Sequence, residues 1–187
     1  MAPSALILLD LQKGVLPRLE ADMPSYLSRV AAAADAARAA GVPVIHVRTC
    51  FRPGHPEVSR ANASFSRITS LGGFVEGDPA VDFADAVAPQ GADIVVTKRR
   101  VSAFAGSDLE VVLRAQRTQN LVLAGVATSG AVLSTVRQAA DLDFGITVLD
   151  DLCLDRDEQV HRVLVEKLFP KQAQVVTAEE WIQDLRR

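Results

Sequence analysis

At 187 residues the chain suits one domain with a sizeable core and would be cramped as two. A formal net charge of -3 and a pI near 5.6, with basic and acidic residues interspersed, leave no basic footprint for nucleic acid. No apolar run approaches a membrane span, and the start Met1-Ala2-Pro3-Ser4 followed by the short run Ala5 to Leu9 lacks the parts of a signal peptide, so a soluble, cytoplasmic protein is expected.

In chain order, Ala5 to Leu9 reads as a buried strand. Tyr26, Val30, Ala33, Ala34 and Ala37 then recur at helical spacing on a segment closed by Gly41. Val42 to Val47 is the second strand, with Pro43 tolerated only at its start. Thr49 to Val87 breaks the rhythm: it is rich in Arg, Pro, Gly and Ser, has weak helical patterning from Ser59 to Leu71, and reads as a lid or a partner surface. Asp93 to Thr97 is the third strand, followed by a helix that Ser107 and Glu110 would open as a capping box. Leu121 to Val126 is the fourth strand, with a helix from Ala131 to Asp141. Gly145 to Asp150 is the fifth strand, and Asp157 to Leu168 a helix stopped by Pro170. Ala173 to Val176 makes a sixth strand, and Thr177 with Glu180 caps a last helix.

Strands that alternate with helices and read as continuously apolar predict a three-layer αβα domain over residues 1–187, built on a six-stranded parallel sheet. Loops leaving the carboxyl ends of such strands open on one edge, where ligands bind. Asp10 follows the first strand, Lys98 the third, and Thr128 to Ala131 the fourth. Singly, an Asp after a strand is commonly a cap and a Lys is commonly solvated. Together they would put a proton-transfer group and a fixed cation beside the free backbone N–H groups of a helix N-terminus.

The run Gly125-Val126-Ala127-Thr128-Ser129-Gly130-Ala131-Val132 resembles the nucleophile-bearing segment of the isochorismatase-like cysteine hydrolases, roughly Gly-Val-x-Thr-x-x-Cys-Val. Asp10 with Gln12, Lys98 with Ser102-Ala103-Phe104, and the Asp150 to Asp155 loop resemble further motifs of that family in the same order. The resemblance implies an Asp/Lys/Cys constellation, in which Asp deprotonates the thiol, Lys stabilises charge and backbone N–H groups hold the oxyanion. It also implies a non-proline cis peptide near Val126-Ala127.

The Cys position falls on Ala131, whose methyl has no lone pair, so a thiolate route is unsupported. Isochorismatases proper carry Gly there and protonate a vinyl ether from the Asp, a precedent for using Asp10 and Lys98 alone. Ser129 as a replacement nucleophile lacks a His positioned to serve it and reads as an N-cap. His46, His55 and His161 do not reproduce the metal-binding pattern of the related nicotinamidases; His46 reads as buried and His161 as outward-facing, and neither metal nor cofactor is expected. Gln12, Phe51, Arg52, Phe104, Ala127, Thr128, Ser129 and Gly130 are the candidate substrate-binding residues, with Arg52 placed to grip a carboxylate. Cys50 and Cys153 fit no disulfide or metal spacing and read as non-catalytic thiols of a reducing compartment.

The expected function is hydrolysis of a small anionic metabolite through Asp10 and Lys98, with Ala131 at the nucleophile position. Two alternatives stand beside it: a catalytically silent module that binds a metabolite or a protein, and an engineered Cys-to-Ala form of a C–N amidohydrolase. Phe51, Phe65, Ile68, Leu71 and Phe74 in the lid-like stretch would expose apolar surface, from which a homodimer or homotetramer is expected.

Overall fold

The computed structural model describes residues 3–19, 21–70 and 72–186. Six strands form one all-parallel sheet: β1 (Ser4–Leu9), β2 (Val44–Thr49), β3 (Ile94–Lys98), β4 (Asn120–Val126), β5 (Gly145–Leu154) and β6 (Gln174–Val176), in the spatial order β3-β2-β1-β4-β5-β6. The order reverses direction at β1 and β4, the crevice at which open parallel sheets bind ligands.

Side chains along β1 point alternately to the two faces, and both faces are covered. Ala5, Ile7 and Leu9 pack with Leu109 and Leu113 of α3 (Leu109–Ala115) and with Val136 and Ala139 of α4 (Leu133–Asp141). The same layer includes Leu164, Val165 and Phe169, which follow α5 (Glu158–Val163). Leu6 and Leu8 pack on the other side with Tyr26, Val30, Ala33, Ala34 and Ala37 of α1 (Met23–Ala39) and with Ala178 and Trp181 of α6 (Ala178–Leu185). The α1 side chains at helical spacing are thus its buried face. Asp22 caps the start of α1 by accepting from Ser25 N, and Gly41 at φ 70 follows its end.

The Thr49 to Val87 stretch contributes α2 (Ala63–Ser70) and two short 3-10 turns, Pro79–Val81 and Asp85–Val87. Phe51, Phe65 and Phe74 are buried with Cys50 and Val81 in a small third core, and Ile68 is half-buried against it. These residues therefore do not form the exposed apolar surface from which an oligomer was expected; Leu71 lies outside the described residues.

Several boundaries differ from the sequence reading. Strand β5 continues to Leu154, because the ladder with β4 shifts register between Leu123 and Gly125 and resumes with Gly125 opposite Cys153. The helix after β4 opens with a π-helical turn, Thr128–Val132, and that after α5 ends with another, Leu164–Leu168, before a 3-10 turn holds Pro170. Ser107 accepts from Leu109 N and Glu110 pairs with Arg114, so no Ser107–Glu110 capping box forms. The Thr177–Glu180 box does form. Among the described residues no helix is long and apolar enough to cross a membrane.

Candidate active site

Three adjacent strands end in one polar triangle. Asp10 leaves β1 at φ 52, in the left-handed region that Asp tolerates, with its N–H donated to Val47 O of β2. Lys98 ends β3, and Thr49 ends β2 between them in register with Lys98. Lys98 Nζ lies 2.8 Å from Asp10 Oδ2 and donates to Thr49 Oγ1 at 2.7 Å and to Arg100 O at 3.1 Å. Thr49 Oγ1 in turn donates to Asp10 Oδ1 at 3.2 Å. All three ammonium donors are thus used inside the protein, which is what allows a Lys to be 1% exposed.

Asp10, Thr49 and Lys98 share the lining of a cleft of about 200 Å3 with Phe65, Phe74 and Val101. The β4 end lies alongside. Gly125 stands at φ 125, and a Cβ there would fall 2.2 Å from Leu9 O, so only Gly lets β4 run this close to the residue before Asp10. The Val126-Ala127 peptide is cis. A Cβ on Gly130 would lie 4.0 Å from Val101, so the turn after β4 abuts the cleft wall.

Within that turn the N–H groups of Gly130 and Val132 return to Ala127 O. Ser129 N–H instead donates to Asp155 Oδ2 at 2.6 Å. Burial raises the Asp155 carboxyl, but hydrogen bonds from Ser129 and from the Arg156 and Asp157 backbone outweigh it and hold the group below the usual range. Thr128 is fully buried and its hydroxyl meets His161 Nδ1 at 2.8 Å, so His161 reaches inward rather than standing on the outer face of its helix. Thr135 of α4 accepts from Ala103 N, tying the segment after Lys98 to the helix after β4.

The family model described as Isochorismatase domain matches residues 4–180. The chain belongs to the isochorismatase family. Maleamate amidohydrolase of Pseudomonas putida KT2440 is 30% identical over 97% of this chain and 86% of that protein. Ureidoacrylate amidohydrolase RutB of Azorhizobium caulinodans is 36% identical over 67% of this chain and 60% of that protein. The solved structure of an isochorismatase family protein from Burkholderia thailandensis superposes with a TM-score of 0.87 at 31% identity, covering 99% of this chain and 96% of that one.

Within this isochorismatase-family fold, several candidate residues lie outside the cleft lining. Gln12 is fully buried and acts as a backbone staple: Nε2 donates to Thr49 O and Val81 O, and Oε1 accepts from Thr49 N. Phe51 is fully buried against Phe65 in the third core. Phe104 packs with Phe144, ring centroids 6.0 Å apart, in the core beside α4. Arg52 is exposed and pairs with Glu57, lining a surface hollow that shares no residue with the Asp10–Lys98 cleft. Ala131 is 4% exposed, packs in the same core as Phe104 and is not in the cleft lining.

Both thiols are buried. Cys50 lies in the third core and Cys153 beside Gly125, and burial raises each above the ordinary thiol value. His46 and His55 are engaged away from the cleft lining, with Asp93 and with Gly73 O. Thr49 and Arg18 are among the cleft residues the sequence reading passed over, with Val15, Ser64 and Val101. Thr49 could have been found by the strand-end rule that located Asp10 and Lys98; Arg18 sits in a short 3-10 turn, Leu16–Arg18, with no periodic signal.

Proposed function

We propose that this isochorismatase-family chain is a hydrolase that uses water directly, without a covalent thioester, on a small anionic metabolite. Asp10 takes a proton from the attacking water and returns it to the leaving group; while Asp10 is protonated its charge no longer offsets Lys98, whose ammonium then balances the negative charge that develops on the substrate. Ala131 stands where the family's thiol would be. The observation that carries the reading is the Asp10–Thr49–Lys98 triangle in the cleft lining together with two thiols buried outside that lining.

The test is turnover of a panel of small carboxylates bearing amide or ureido groups, starting from the acids for which the relatives are named. Turnover should survive prior treatment with iodoacetamide and vanish in Asp10→Asn. Thiol-sensitive turnover, or turnover retained in Asp10→Asn, would reject it. A second reading, a silent binding module, is favoured by the Asp155 carboxylate on Ser129 N–H, because an acid at that turn opposes an oxyanion. Saturable binding of panel members with no turnover of any would support that second reading.

A further inference from the structure

The inner cleft offers a substrate no spare cation. Lys98 spends its three donors on Asp10, Thr49 and Arg100 O, and its charge is offset by Asp10. If the substrate is anionic, its negative group must be held elsewhere.

The cleft continues outward. Arg18, Ser64, Ile68 and Phe74 line both it and a second hollow of about 540 Å3, a size typical of small-molecule sites. Arg67 of α2 and Arg156, which follows β5, join Arg18 in lining that outer hollow. The three arginines come from segments far apart in sequence, so their convergence is a product of the fold rather than of a basic run.

None of the three has an ion-pair partner among the described residues. The one carboxylate lining the hollow, Asp78, accepts from Phe74 N and Ala80 N, each at 2.8 Å, and so serves the local turn. Three unneutralised guanidinium groups in one hollow run against a chain whose net charge is -3. Two of them are held in place: Arg156 Nε donates to Arg18 O at 3.2 Å, and the Arg18 guanidinium lies 5.7 Å from the centre of the Phe74 ring. All three arginines are exposed and line a hollow whose apolar lining includes Ile68 and Phe74, and guanidinium groups gathered in this way suit bidentate anion recognition.

We propose that Arg18, Arg67 and Arg156 form a distal anion subsite, and that the substrate is an elongated small molecule with its hydrolysable bond at Asp10–Lys98 and a carboxylate or phosphate at the far end. The proposal rests on the hydrolase reading for what happens at Asp10, and on the arginines alone for anion binding.

The test is calorimetric titration of the purified full chain with inorganic phosphate and, separately, glutarate, at fixed total ionic strength. One of the two should bind saturably, and which binds more tightly tells phosphate from carboxylate. Arg67→Gln and Arg18→Gln should each weaken that binding about ten-fold, as expected for loss of one charged hydrogen-bonding partner. Arg114→Gln on α3 should leave it unchanged. Turnover is measured separately on each arginine variant, so that loss of hydrolysis and loss of anion binding are read apart. Absence of saturable binding of either anion, or equal affinity in the wild type and Arg67→Gln, would overturn the subsite even if turnover is found.

Discussion

Lys98 Nζ and Asp10 Oδ2 are 2.8 Å apart although they come from strands that do not pair with each other, and Thr49, at the end of the strand between them, bonds to both. The sheet order β3-β2-β1 therefore builds the pair. Parallel strands deliver their carboxyl ends to one edge, and three neighbouring ends supply the carboxylate, the hydroxyl and the ammonium.

Breaking this pair from one side leaves a buried charge without its counter-ion. Lys98→Met should destabilise the fold by about 3–5 kcal/mol, and Asp10→Asn combined with Lys98→Met should recover part of that loss. Urea unfolding midpoints at constant m-value measure both. A Lys98→Met protein as stable as the wild type would show that the triangle is not closed in solution.

Gly125 is the steric key to the approach of β4 toward β1. An added Cβ would meet Leu9 O at 2.2 Å on a backbone at φ 125, so Gly125→Ala should cost about 3 kcal/mol and displace the strand end that carries Asp10. Thermal unfolding and activity should fall together. Gly41→Ala, also at positive φ but with nothing within 4 Å of its Cβ position, should cost only the strain of the backbone, about 1 kcal/mol.

The far end of the sheet carries a pH-dependent term in stability. His46 is fully buried in β2 and bonds to Asp93 at 3.0 Å, while Asp93 also accepts from Arg38. Burial lowers the His46 value below the ordinary 6.5, with Asp93 opposing. The unfolded chain then binds more protons than the folded one just below pH 6.5, so stability falls as pH drops through that window. His46→Gln should flatten the pH dependence there. Asp93, for which burial is outweighed by its hydrogen bonds from Arg38 and Gln90 N, is held below 3.8 and contributes stability that is lost only as pH falls through that lower range. Unfolding midpoints between pH 8 and about pH 3 separate the two terms.

The fold was legible because the apolar runs were long enough to mark each strand and the α1 pattern named the buried face residue by residue. Asp10 and Lys98 followed from the rule about strand ends. Sequence places Gln12, Phe51 and Phe104 near the ligand edge without saying which way each side chain turns; tertiary packing buries all three outside the cleft lining. The β5 extension was hidden by two acids, Asp150 and Asp151, within the strand, and the π-helical turns leave no periodicity of their own. The inward reach of His161 to Thr128 depends on how α5 docks, which no local pattern encodes.

The most direct measurement of the central claim is the reactivity of a thiol placed at position 131. In the native wild type, iodoacetamide should label Cys50 and Cys153 slowly, since both are buried and both have raised thiol values. Position 131 is buried too, at 4% exposed, so a difference must come from the helix: Ala131→Cys should add a thiol that labels faster than either, because the positive end of a helix favours the thiolate, and Asp10→Asn in that background should slow the labelling. A thiol at 131 that labels no faster than Cys50 and Cys153, or whose rate ignores Asp10, would contradict the assignment of Ala131 to the nucleophile position and of Asp10 to proton transfer.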